Sequence, residues 1–99
     1  MIYRDDILKT LKTHESELRE MGVDHIALFG SCARQEERPE SDIDLLIDLN
    51  ARKPIDLFAY AGLKSHITGL FDRSVDVVDR AALKKRLKGA VEKEAIYAF

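Results

Sequence analysis

GSCARQEERPESDID, residues 30–44, is the stretch that decides the fold. The short apolar run before it, Asp24 to Phe29, predicts a strand that ends at Gly30. Glycine permits a tight turn and a close approach to the backbone, and Ser31 suits the N-cap of a short helix over Cys32 to Arg34. The free N–H groups at a helix start can bind an anion. The sequence therefore predicts a phosphate site at Gly30 and Ser31.

Two aspartates open the next predicted strand, Asp42 to Leu49 (DIDLLIDL). The alternation places Asp42 and Asp44 on one face and Ile43, Leu45, Ile47 and Leu49 on the other. Same-face neighbours on a strand lie roughly 7 Å apart, so both carboxylates can reach common hard cations. Taken alone, the alternation is equally typical of an edge strand with polar residues facing solvent. Asp48, farther along this face, is interpreted as a surface or strand-end carboxylate.

A third carboxylate lies within the β-branched run Val75 to Asp79 (VDVVD), which predicts a buried strand. A buried charge is costly unless it is paired or binds a metal, so we predict that Asp76 faces the same ions as Asp42 and Asp44. Two divalent ions beside a polyphosphate need more anionic oxygen than one Asp-x-Asp supplies. The three aspartates together predict a two-metal site.

Helical spacing of apolar residues predicts the remaining elements. One helix is predicted from Tyr3 to Met21, a second from Pro54 through Leu70, and a last one capped by Asp79. The polar segment Glu36 to Ser41 predicts a loop. The resulting order αβαβαβα indicates an α/β fold, a small mixed sheet covered by helices.

Size and charge limit the function. We expect one domain over residues 1–99, with no room for a separate substrate-binding domain, so a partner must hold most of what the chain modifies. The chain has 16 Lys+Arg and 18 Asp+Glu, a balance that does not favour direct binding to nucleic acid. One cysteine cannot form an internal disulfide, and the N-terminus does not resemble a signal peptide or a membrane span. We therefore expect a cytoplasmic protein.

Three motifs taken together resemble the minimal nucleotidyltransferases, or MNT proteins, of the DNA polymerase β superfamily. They are FGSCAR at 29–34, SDIDLLIDL at 41–49 and VDVVD at 75–79, and the resemblance extends over nearly the whole chain. In this family a glycine often follows Ala-Arg, where this chain has Gln35. The resemblance implies a polymerase β-like nucleotidyltransferase core.

The resemblance also implies a function. MNT proteins of this kind commonly act as antitoxins to a HEPN ribonuclease toxin, and some add AMP to a tyrosine of that toxin. We accordingly expect a Mg²⁺-dependent transfer of AMP from ATP to a protein hydroxyl, in a hetero-oligomer with a HEPN partner. Asp42, Asp44 and Asp76 would bind two Mg²⁺ ions, Gly30 and Ser31 would hold the β- and γ-phosphates, and Asp76 would accept the hydroxyl proton.

Two other functions are compatible with the sequence. The first is an antitoxin that only masks its partner, a role that requires none of the three aspartates. The second is a nucleotidyltransferase acting on a small molecule, although the antibiotic-modifying members of the superfamily are longer chains.

Some residues have open interpretations. Arg34 either faces the triphosphate or pairs with the acidic loop. Cys32 is interpreted as a small packing residue in preference to a redox-sensitive thiol. The three histidines lack metal-ligand spacing. The apolar residues of the C-terminus either form an interface or close the core; they are Val91, Ile96, Tyr97 and Phe99.

Overall fold

The computed structural model describes residues 4–35 and 42–99, so Tyr3 and the predicted loop Glu36 to Ser41 lie outside the described residues. Within those ranges four strands form one mixed sheet in the order β3-β2-β1-β4. The strands are β1 Val23–Phe29, β2 Ile43–Leu49, β3 Val75–Asp79 and β4 Ile96–Tyr97. Strand β1 is antiparallel to β2 and β4, whereas β2 and β3 are parallel. The predicted small mixed sheet is confirmed.

Five helices accompany the sheet in the described ranges. They are α1 Arg4–Thr13, α2 Glu15–Glu20, α3 Gly30–Ala33, α4 Leu57–Thr68 and α5 Lys85–Glu94. One face of the sheet packs against α1, α2 and α4 and forms the core. The alternation in β2 produces this arrangement, because Ile43, Leu45 and Ile47 are all fully buried in the core while Asp44 and Asp48 project from the opposite face.

The N-terminal segment forms two helices, so the prediction of one helix from Tyr3 to Met21 was wrong. The break falls at His14, whose backbone dihedrals are φ −96° and ψ 13°. Just before it, the Thr13 hydroxyl donates to the Lys9 carbonyl at 2.8 Å, a bond that competes with regular helix hydrogen bonding. The apolar spacing continues across this break, which is why periodicity did not reveal it.

Local capping also moves the starts of the later helices. Helix α4 begins at Leu57 instead of Pro54, because the Asp56 carboxylate accepts the Ala59 N–H at 2.8 Å. Asp79 caps a short 3₁₀ turn, Arg80–Ala82, and not the last helix, which starts at Lys85. In both places the carboxylate accepts a backbone N–H group of the following turn, and this hydrogen bond determines where the turn begins.

Two of the four C-terminal apolar residues, Ile96 and Phe99, close the core, as the second interpretation expects. Ile96 pairs with Leu28 of β1, and both Ile96 and Phe99 pack against the buried cluster. Tyr97 remains 47% exposed. None of the helices in residues 4–35 and 42–99 combines the length and apolar character needed to cross a membrane.

Glu17 joins α2 to two neighbouring elements. Its Oε1 lies 2.5 Å from Nδ1 of His14, and its Oε2 lies 2.5 Å from Nε2 of His66 in α4. The hydrogen bond with His14 lowers the pKa of Glu17 below its ordinary value; the hydrogen bond with His66 lowers it further, and partial desolvation opposes both. The ionised carboxylate therefore stabilises the fold.

Glu17→Gln should lower the free energy of unfolding at neutral pH. Because the pKa of Glu17 is lower in the folded state, its contribution is complete above the unfolded-state pKa and is lost as the pH falls through the folded-state pKa. The difference between wild type and variant should thus shrink as the pH falls through the folded-state pKa of Glu17 and disappear below it. Urea denaturation across this pH range measures it, with Glu20→Gln on the same helix as the neutral control. A difference independent of pH would contradict this role.

Candidate active site

Gly30 and Asp44 are in direct contact at the end of β1. Phe29 is the register partner of Asp44 on β2, so the next residue, Gly30, lies beside the Asp44 carboxylate. Gly30 has φ +76°, and a Cβ built on it would lie 2.2 Å from Oδ2 of Asp44. Glycine is therefore required twice, for the left-handed backbone and for the space that the carboxylate occupies.

Asp44 and Asp76 are paired across the sheet. They are register partners on the parallel strands β2 and β3, on the face opposite the core. Asp76 is exposed, so the prediction that it is buried was wrong. The physical reason is that β3 is an edge strand, and side chains on its non-core face remain open to solvent.

Asp42 stands outside the strand. β2 begins at Ile43, and Asp42 is an exposed residue immediately before it, which corrects the predicted strand start. Its carboxylate is still close enough to influence Asp44 electrostatically. The three predicted aspartates thus lie in one region, with Asp44 and Asp76 on neighbouring strands and Asp42 just before β2.

The pKa of Asp44 is raised above its ordinary value, chiefly because burial penalises its charged form. The negative charges of Asp76, Asp42 and Glu94 raise it further, in that order of importance, and Arg34 lowers it. An ionised Asp44 is therefore unfavourable in the fold as it stands. A cation or a donor from a ligand would remove this cost.

Helix α3 follows directly and begins at Gly30, two residues earlier than the predicted start at Cys32. Phe29 occupies the cap position without a side-chain hydrogen bond, and Ser31 is half-buried inside the first turn, so the prediction of Ser31 as N-cap was wrong. Cys32 and Ala33 are buried in the core and anchor the helix there. This supports the interpretation of Cys32 as a packing residue.

Glu94, the last residue of α5, lies in the predicted phosphate site. Its Oε1 accepts the Gly30 N–H at 3.1 Å, and its Oε2 lies 2.8 Å from Nη1 of Arg34. Arg34 thus pairs with a residue that neither interpretation of the sequence had proposed. No local signal marks Glu94, because it is 60 residues from Arg34 along the chain and stands in an ordinary charged helix end.

Gln35 follows α3 in the left-handed conformation, with φ +58°. This is a conformation that glycine adopts at little cost and that costs a side-chain-bearing residue roughly 1–2 kcal/mol. The backbone of this turn therefore explains physically why a glycine suits the position that Gln35 occupies here.

The residues present fit Mg²⁺ in their chemistry. Carboxylate oxygens are the ligands that this hard cation prefers, and the carboxylates of Asp76, Asp42 and Glu94 lie near enough to Asp44 to act on its pKa. Among residues 4–35 and 42–99, no three or more His, Cys, Asp or Glu side chains are arranged to hold a metal ion. The site therefore offers donors and charge without a preformed cage.

Asp48 is separate from this site, as predicted for a strand-end carboxylate. It lies at the other end of β2, where its Oδ1 is 2.7 Å from Nε of Arg80. A cavity of about 400 Å³ opens beside this ion pair and is lined by Lys88 among others. The cavity is at the opposite end of the strands from Asp44 and Asp76.

Comparisons with known proteins agree on one family. The sequence pattern of the family described as nucleotidyltransferase domain matches residues 11–98. Protein adenylyltransferase MntA of Thermococcus cleftensis is 33% identical, over 98% of this chain and 97% of the relative. A solved structure assigned as a minimal nucleotidyltransferase is 34% identical and superposes with a TM-score of 0.71, covering 90% of this chain and 93% of that one.

A more distant structure shares the fold. It is the complex of a tri-AMPylated Shewanella oneidensis HEPN toxin with an MNT antitoxin, and its matching chain is 21% identical with a TM-score of 0.63. The match covers 93% of this chain and 71% of that one.

Gly30→Ala should lower the free energy of unfolding by about 1–3 kcal/mol, because alanine is strained at positive φ and its methyl group displaces the Asp44 carboxylate. Gly62→Ala in α4 is the matched control. A Cβ at Gly62 meets no atom within 4 Å, so this variant should be neutral or up to about 1 kcal/mol more stable. Urea denaturation measures both, and equal effects would contradict the contact.

Asp44→Asn should raise the free energy of unfolding at neutral pH. The pKa of Asp44 is higher in the folded state than in the unfolded state. The free energy of unfolding therefore falls as the pH rises from the unfolded-state pKa to the folded-state pKa, and it stays lower at all higher pH. Asparagine removes this penalty, so wild type and variant should converge in acid. Urea denaturation at neutral and acid pH tests this, and a variant less stable than wild type at neutral pH would contradict it.

Proposed function

We propose that this chain, which belongs to the nucleotidyltransferase domain family, transfers AMP from ATP to a hydroxyl group of a partner protein. Membership of the family confirms the resemblance drawn from the sequence. The observation that carries the proposal is the pairing of Asp44 with Asp76 on neighbouring strands, next to the backbone of Gly30. A protein that only masked a partner would need neither the paired charges nor the close approach.

In the proposed reaction the acceptor oxygen forms a bond to the α-phosphorus of ATP. The bond between that phosphorus and the oxygen bridging to the β-phosphate breaks, and pyrophosphate leaves with the electron pair. Asp76 accepts the proton of the hydroxyl, for which its exposed position on the edge strand is suitable. Atoms and charges are thereby balanced between AMP-modified product, pyrophosphate and proton.

Other residues of the chain would bind the phosphates and the metal ions. Gly30, Ser31 and Arg34 would bind the β- and γ-phosphates through backbone N–H groups and a guanidinium. Asp42, Asp44 and Asp76 would hold two Mg²⁺ ions. When bound, such ions neutralise the phosphates and lower the pKa of the attacking hydroxyl.

A HEPN-type toxin is the proposed acceptor, with a tyrosine as the modified residue and the cytoplasm as the compartment that supplies ATP. A relative of similar length is named protein adenylyltransferase MntA. A protein of the same fold was solved with a HEPN toxin that carries AMP groups. The donor, acceptor and partner are inferred from these two proteins and from the open edge of the site.

Intact-mass spectrometry tests the proposal on the product of the gene adjacent to that of this chain, which the proposal expects to be a HEPN-type protein, after incubation with ATP and Mg²⁺. Wild type should add one or more AMP units. Asp44→Asn and Asp76→Asn should each reduce the rate of transfer about 100-fold or more, because each removes a charge on which the proposed chemistry depends.

Asp48→Asn is the matched control, since Asp48 is on the same strand and face but pairs with Arg80. It should transfer AMP at the wild-type rate. Undiminished transfer by both Asp44→Asn and Asp76→Asn would refute the site assignment. A stable complex that silences the toxin without any change in mass would indicate a masking antitoxin instead.

A further inference from the structure

Glu94 makes the two contacts that the proposed triphosphate would need. The Gly30 N–H donates to one of its carboxylate oxygens at 3.1 Å, and Arg34 lies 2.8 Å from the other. In the proposed function both groups bind phosphate. A carboxylate and a phosphate are both oxyanions that bind N–H groups and guanidinium ions in the same way. The same donors cannot serve both anions at once.

Partly exposed contacts hold the helix that carries Glu94. Helix α5 has no fully buried residue, and Leu87 on it is 44% exposed. Ion pairs supply part of its attachment, Glu94 with Arg34 and Glu92 with Arg80. The Glu94 side chain is 30% exposed, so water can replace its partners when it moves.

We propose that Glu94 occupies the phosphate site in the absence of nucleotide and must leave it when the triphosphate binds, so that this residue sets the affinity for nucleotide. The inference rests on the proposed function, because it assumes that Gly30 and Arg34 bind phosphate. Glu94 is then an internal competitor. A ligand that brings little negative charge to Gly30 and Arg34 cannot displace it, whereas a triphosphate can.

The negative charge of Glu94 opposes the binding of a polyphosphate, as do its contacts with Gly30 and Arg34. It is one of the carboxylates that raise the pKa of Asp44, so it adds to the negative potential that an incoming polyphosphate meets. Removing that charge should therefore favour anion binding, both by freeing the donors and by weakening the repulsion.

Isothermal titration with the non-hydrolysable analogue AMP-PNP and Mg²⁺ tests the proposal on the whole chain. Glu94→Gln and Glu94→Ala should each lower the Kd about three- to tenfold, as expected for loss of one partly exposed, charge-assisted contact. Glu92→Gln removes an equal charge two residues away on the same helix, where the partner is Arg80, and should leave the Kd unchanged. Thermal unfolding of each variant verifies that it is folded, and the two Glu94 variants check each other.

The outcomes separate this proposal from the proposed function. Tighter binding by the Glu94 variants alone supports the competitor role, including the case in which wild type binds too weakly to measure. Wild-type or weaker binding by both Glu94 variants overturns it and leaves the nucleotide site standing. Equal tightening by Glu92→Gln also overturns it, since the effect would then come from net charge. Absence of binding by wild type and by both Glu94 variants overturns the proposed function and this inference with it.

Discussion

The structure of the site depends on one steric constraint, the contact between the backbone of Gly30 and the carboxylate of Asp44. Strands β1 and β2 bring these residues together through the pairing of Phe29 with Asp44. Any side chain at position 30 would occupy the place of the carboxylate. On the other side of β2, the register of β2 with β3 places Asp76 beside Asp44. The backbone of Gly30 and the carboxylates of Asp44 and Asp76 are therefore adjacent because β1, β2 and β3 are in register.

This arrangement costs stability, and the sheet is built to tolerate the cost. The pKa of Asp44 is raised because its charge is partly buried among other carboxylates. The alternation of β2 sends Ile43, Leu45 and Ile47 into a core on the other face, where each is fully buried. Apolar burial thus supplies the free energy from one face while the opposite face carries unfavourable charge. Because the carboxylates of this site repel one another, the binding of cations there is favourable. Cation binding would be a reason for an enzyme to retain this arrangement.

Much of this was predictable from sequence, and the failures have physical causes. Strand alternation and the β-branched run identified β2 and β3, because period-two patterns depend only on neighbouring residues. The burial of Asp76 was mispredicted, since a run of hydrophobic residues does not reveal whether its strand is at the edge. Helix starts were misplaced because Asp56 and Asp79 form caps, which short-range hydrogen bonds decide. Glu94 could not be found, because its role depends on a tertiary contact with Gly30.

The exposure of the site bears on what the acceptor can be. Asp76 is on the edge strand with its carboxylate in solvent, and Asp42 is exposed before β2. In the proposed reaction the described residues at this edge would therefore offer the acceptor few enclosing surfaces. A small molecule would need enclosing contacts beyond the exposed Asp42 and Asp76 of the described residues, whereas a folded protein presents its hydroxyl on a surface of its own. The open edge thus favours a protein acceptor on geometric grounds, independently of any relative.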